Sequence, residues 1–247
     1  MRSSWTGRRL LVPLASILCC SLWAATVRAG DPPAEALTAE QILARMAKTY
    51  AGCSSYRDAG EATTVFFQRT GKRTVKKPFT TAFVRPDRFR FEFQDRVGEE
   101  EWHRMIVWQQ GGEVQSWWDL RPGVEHPASL DLGLAGATGV SGGSAHTIPR
   151  LLLPDRIEGW PLTALQEPKC LPDASFDGAD CFRIEGKRRG DPMTLWIDKA
   201  SFLVRRIDQS VQFPEFRTEE TIVYRAEIDG PIAPGELELR PPARAER

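Results

Sequence analysis

Gly139-Val140-Ser141-Gly142-Gly143 fits the G-x-S-x-G spacing that lifts a serine nucleophile onto a strained turn. That chemistry needs a buried strand before the serine and a helix after it, among alternating parallel strands and helices. LAGAT precedes the motif and is no strand pattern, so Ser141 is not read as a nucleophile and no catalytic residue is assigned. Glu99, Glu100, Glu101 and His103 gather metal-ligating types, but their spacing matches no zinc pattern and they fall in a turn. They read as a solvated charge run; no metal and no cofactor is expected. His126 and His146 stand alone. Arg88-Phe89-Arg90-Phe91 interleaves basic and aromatic residues as RNA-binding sheets do, and only the chain's charge and destination decide against that reading.

The destination is written at the start. Arg2, Arg8 and Arg9 form a basic head, and Leu10 to Ala25 an apolar stretch, interrupted by Pro13 and short for a membrane span. Val27-Arg28-Ala29 then supplies small residues for cleavage before Gly30. Residues 1–29 are expected to be a signal peptide, leaving 30–247 as a single exported domain. Lysine and arginine total 33, as do aspartate and glutamate. Loss of Arg2, Arg8, Arg9 and Arg28 leaves 29 basic groups against 33 acidic ones, which argues against nucleic acid or an anionic membrane surface as partner. Of the five cysteines, Cys19 and Cys20 leave with the signal. Cys170 and Cys181 flank a stretch with Pro172, Asp173, Asp177 and Gly178 and are expected to form a disulfide, worth about 3 kcal/mol by loop closure. Cys53 would then be a lone buried thiol.

The elements follow from periodicity. Thr38 and Gln41 make a capping box, after which Ile42, Leu43, Met46, Ala47 and Tyr50 share one helical face up to Gly52. From Glu61 the period changes to two, with a first strand at 63–69. Around an Arg85-Pro86-Asp87 turn, Phe79, Thr81 and Phe83 and then Phe89, Phe91 and Phe93 alternate with Arg88, Arg90 and Glu92, giving one aromatic and one charged face. A hairpin turns at Gly111-Gly112. Leu130 to His146 and Ile148 to Leu153 read as short helices and a loop. Strands resume after Trp160 at PLTALQE, DCFRIEGKRR, MTLWIDK, FLVRRIDQSV and TEETIVYRAEID. The sum is a mainly β, α+β chain: a curved antiparallel sheet with only the early helix and the middle segment free to cover one face. Such a sheet presents more apolar surface than one helix covers, so Phe66, Phe83, Phe89, Phe91, Phe93, Met105 and Trp117 are expected to line a ligand cavity.

The amphipathic helix, Ser55-Tyr56, VRPDRFRFEF, the Gly-containing hairpin ending in Trp117-Trp118, LWIDKASFLVRRI, TIVYRAEI and the closing LELRPP resemble the LolA-like outer-membrane lipoprotein carriers. The resemblance implies a LolA/LolB-like half-barrel with a helical lid over a cavity for acyl chains, and a terminal strand ending in Pro-Pro. It implies a non-enzymatic periplasmic carrier, monomeric, that binds lipoprotein acyl chains or lipids. Such a carrier meets an inner-membrane releasing complex and an outer-membrane acceptor. Related domains of the same fold act as periplasmic sensors bound to a membrane protein, which is the alternative. In the family an arginine directly before the proline of the R-P motif holds the lid shut through lid carbonyls. Arg85 occupies that position.

Overall fold

The computed structural model describes residues 36–97 and 101–241. Thr38 caps the first helix, α1 (Ala39–Gly52), reciprocally with Gln41, and Ile42, Leu43, Met46 and Tyr50 form its buried stripe. Eleven strands follow: β1 (Ser55–Gln68), β2 (Gly71–Val84), β3 (Arg88–Val97), β4 (Glu101–Gln110), β5 (Glu113–Trp118), β6 (Val124–Glu125), β7 (Gln166–Phe176), β8 (Ala179–Arg188), β9 (Asp191–Asp198), β10 (Val204–Gln212) and β11 (Arg217–Ile228). Between β6 and β7 lie α2 (Leu130–Thr138) and α3 (Ser144–Leu152).

All the strands belong to one sheet in the order β6-β5-β4-β3-β2-β1-β11-β10-β9-β8-β7. It is two meanders joined in the middle by antiparallel β1 and β11, and it does not close: β6 and β7 are its free edges. The chain must therefore pass from one edge to the other between β6 and β7, and α2 and α3 are that passage. The result is a mainly β, curved half-barrel with helices on one face. Along β1 that face is set by the even positions Tyr56, Asp58, Gly60 and Ala62, all buried. Register carries it to Phe83, Thr81 and Phe79 on β2, Phe89, Phe91 and Phe93 on β3, and Met105 and Val107 on β4.

β1 starts at Ser55, well before the strand expected at 63–69, because Asp58 and Gly60 hide a strand pattern. Both side-chain choices are dictated by the covered face. A β-carbon at Gly60 would stand 2.2 Å from Cζ of Phe79 and 2.5 Å from the Val223 carbonyl oxygen, so only glycine lets the Phe79 ring cross the strand.

Three expectations are corrected. Residues 162–164 of PLTALQE form a 3-10 turn, and the strand begins at Gln166. The described residues of the closing LELRPP segment, 237–241, pair with no strand; Pro234–Leu237 is a 3-10 turn. The disulfide is absent, and Cys53, Cys170 and Cys181 are all free. The stretch between Cys170 and Cys181 is no loop but the β7–β8 hairpin, in which Cys170 opposes Ile184 and Cys181 opposes Ala174. Cys181 is three residues from Ile184, so its side chain leaves the opposite face of the sheet, about 10 Å away along the strand. No bridge spans that. Residues 1–29, including the expected signal peptide, lie outside the described residues.

Candidate functional site

Arg85 directly follows β2 at the rim of the covered face, with its guanidinium 5.1 Å from the Phe83 ring centre. Its Nε donates to the Cys53 carbonyl at 2.9 Å, and one terminal nitrogen donates to the carbonyls of Leu152 at 3.1 Å and Tyr50 at 3.3 Å. Tyr50 and Cys53 belong to the end of α1, and Leu152 to the end of α3. Helix ends leave carbonyls without intrahelical partners, and a guanidinium has five donors and no acceptor, so each satisfies the other. A single side chain thus ties two covering helices to the sheet rim.

Two more ties act on the same cover. Arg156, just beyond α3, donates to Oε1 of Gln109 at 2.9 Å on β4. Lys77, on the covered face of β2, donates to the Val140 carbonyl in the α2–α3 turn and lies 3.3 Å from Asp95. Its opposition to the buried Ala62 fixes the inward position of Lys77.

Under the helices the expected aromatic set largely converges. Phe83, Phe89, Phe91, Phe93 and Met105 are buried, with Phe91 6.2 Å from Phe79 and 6.3 Å from Phe93. Ile42, Met46, Leu134, Ile148 and Leu152 pack over them from the three helices. In this arrangement the apolar face is occupied by the protein's own side chains. Two of the expected residues stand elsewhere. Trp117 opposes Ile106 and Val124, which puts it on the uncovered face, whereas its neighbour Trp118, in line with Val114 and Ser116, packs against the core. Phe66 shares the parity of the covered face but lies near its far end, half-buried against Phe216 at 6.4 Å.

One buried carboxyl inside this face, Asp58, was missed by the sequence reading. Tyr50, Tyr56 and Tyr224, all three tyrosines of the chain, are buried around Asp58. The Tyr56 hydroxyl donates to Asp58 Oδ2 at 2.7 Å, and the Tyr50 hydroxyl accepts from the Val204 amide at 3.0 Å. Burial raises the Asp58 carboxyl to about 6, against the opposing pull of hydrogen bonds from Tyr56 and Thr81. Burial likewise raises the tyrosine hydroxyls. Glu220, facing the same side farther along, is also raised by burial.

The residues suggestive of catalysis have structural employment. The Ser141 side chain is fully buried; its hydroxyl accepts from the Ala145 amide at 3.2 Å and points at the Thr138 carbonyl. His146 does not stand alone: it joins Thr138 and, at 3.4 Å, Asp131, and so clamps α3 to α2. His103 lies 3.2 Å from Asp119. Among the described residues no group of three or more His, Cys, Asp and Glu is arranged to hold a metal ion, and the run Glu99–Glu101 falls outside the described side chains. A cavity of about 420 Å³ lies on the uncovered face between Arg57, Thr80, Arg90, Arg225 and Glu236.

No family model and no curated protein matches the chain. Several solved structures are similar. LprF from Mycobacterium bovis is 14% identical with a TM-score of 0.41, over 79% of this chain and 94% of that one. The MucA/MucB complex of Pseudomonas aeruginosa gives 12% and 0.43, over 82% of this chain and 61% of that one. A LolA superfamily protein from Nitrosomonas europaea gives 12% and 0.28, over 81% of this chain and 97% of that one. The fold itself rests on the strand order and the helical cover described above; these are likenesses of fold, and the chain is similar to LolA-like proteins in that sense alone.

Proposed function

We propose that this protein is a non-enzymatic carrier that takes the acyl chains of a lipoprotein or lipid onto the aromatic face of its sheet, in the periplasm, and delivers them toward the outer membrane. The observation that carries the reading is Arg85: one guanidinium bonded to the carbonyl ends of both α1 and α3, at the rim of a face built of Phe83, Phe89, Phe91 and Phe93. A cover held by a few polar bonds at its edge is suited to opening. An acyl chain gains about 0.8 kcal/mol per buried methylene, so a permanently enclosed cargo would not leave, and a permanently closed face would not load. In the closed state the leucines and isoleucines of the helices take the place of cargo.

The test is displacement of a fluorescent fatty acid from the purified protein, with mass spectrometry of organic extracts beside it. The carrier reading expects saturable probe binding, co-purifying acyl species, and faster loading and release in Arg85→Leu. A clean extract with no probe binding would make the aromatic face a filled core and end the lipid reading. Unchanged transfer kinetics in Arg85→Leu would remove the latch. A sensor would use the same face and is separated by its partner: it would remain bound to one integral membrane protein instead of releasing cargo.

A further inference from the structure

We infer that the end of the sheet formed by the β1–β2 and β10–β11 hairpin tips is a docking surface for an anionic lipid bilayer. From Phe66 to Lys77 the chain holds Arg69, Lys72, Arg73, Lys76 and Lys77 and no carboxylate. Lys77 turns inward to Asp95 and Lys76 pairs with Glu61 at 2.9 Å. Arg69, Lys72 and Arg73 are exposed, and no ion pair engages them among the described residues.

Aromatic side chains are interleaved with these cations. Register sets Phe67 between Lys72 and Arg217, and both cations lie over its ring, at 4.8 and 4.4 Å. Phe213 and Phe216 stack at 4.4 Å in the neighbouring tip, with Phe213 38% exposed. Arg217 is partly offset by Glu219 at 3.0 Å, leaving the β1–β2 tip as the basic element. Phe66 and Phe67 leave opposite faces of the strand. A protein partner docking on one face would meet half of these rings, whereas the interfacial zone of a bilayer surrounds a projecting tip, taking aromatic rings at headgroup depth and cations at phosphates. The overall acidic balance does not oppose this, because charges more than about 10 Å away are screened at ordinary ionic strength.

The test is co-sedimentation of the full-length protein with vesicles of 30% phosphatidylglycerol in phosphatidylcholine and of phosphatidylcholine alone. Comparing variants with the parent holds the apolar N-terminal stretch constant. The expected result is preference for the anionic vesicles, weakened by salt, with the triple variant Arg69→Gln/Lys72→Gln/Arg73→Gln lowering partition about a hundredfold. Phe213→Ser, at an exposed ring, lowers it severalfold while keeping the salt dependence, and serves as the test should the triple variant lose its fold by circular dichroism. Both variants keep fatty-acid probe binding in solution, so failure here is distinct from failure of the carrier reading. Equal binding to both vesicle types, unchanged partition in the variants, or capture only by vesicles containing a membrane protein overturns the inference.

Discussion

Tyr56 donates its hydroxyl hydrogen to Asp58 across 2.7 Å, from the same face of one strand, beneath the helices. The pair places a carboxyl in an otherwise aromatic layer, and its proton becomes part of the fold's stability. Asp58 is raised from 3.8 to about 6 by burial, so the folded state prefers the neutral acid more than the unfolded chain does. The associated stability is fully present below about pH 4 and is lost as pH rises through 6. Two units correspond to about 3 kcal/mol. Asp58→Asn is expected to flatten that loss. Urea unfolding of both proteins at pH 4.5 and 7.5 measures it; a parallel pH profile in the two would remove Asp58 as the cause.

Arg85 satisfies three carbonyls, and its removal leaves them to water or to no partner. Arg85→Leu is expected to lower stability by about 1–3 kcal/mol and to speed amide exchange at the ends of α1 and α3 before the sheet. Arg85→Lys, a point donor without the fork, is expected to restore only part of the protection. Uniform exchange across helices and sheet would show that the helices do not open separately.

Gly60 and Gly52 make a matched pair of substitutions. Gly60→Ala sets a methyl group against the Phe79 ring and the Val223 carbonyl, and is expected to cost about 3 kcal/mol or more, while Gly52→Ala meets nothing within 4 Å and changes stability by less than about 1 kcal/mol. Thermal unfolding distinguishes them. Equal midpoints would mean that the strand can shift to admit the methyl group.

The cysteines give a chemical readout of the β7–β8 register. Cys170 is exposed, whereas Cys53 and Cys181 are buried and burial raises their thiols. Brief alkylation of the native protein without reductant is expected to modify Cys170, and unfolding to expose Cys53 and Cys181. Peptide mapping that finds Cys170 joined to Cys181 would require a different pairing of the hairpin.

Much of the fold was legible because most elements keep a clean period. The capping box at Thr38 and Gln41 defines α1 almost to the residue, and the alternation through Phe79 to Phe93 finds the facing parts of β2 and β3, although β2 begins as early as Gly71. Arg85 was legible as a rim residue through the Arg-Pro-Asp turn; that its partners are Tyr50, Cys53 and Leu152 depends on long-range register, which no local pattern contains. Trp117 and Trp118 show the limit: adjacent residues in a strand face opposite ways, and only the pairing of Trp118 with Met105 decides which one turns inward. Asp58 escaped notice because alternation follows apolarity, and this strand buries a carboxyl and a glycine. The cysteine hairpin was misread because Pro172, Asp173 and Gly178 suggest a loop, yet an edge strand such as β7 accommodates prolines.

The β1–β11 pairing also governs how the chain can be made. Ser54 and Asp229, 175 positions apart, hydrogen-bond at 2.7 Å at the seam between the two meanders. The first meander emerges long before its complement, and until β11 arrives β1 is a bare edge with unpaired amides and carbonyls. Closing so large a loop makes the final zippering a slow, non-local step. Synthesis therefore passes through a half-sheet that is adhesive at β1, and protection of that strand, by a chaperone or by delayed folding, becomes a requirement of producing the protein at all.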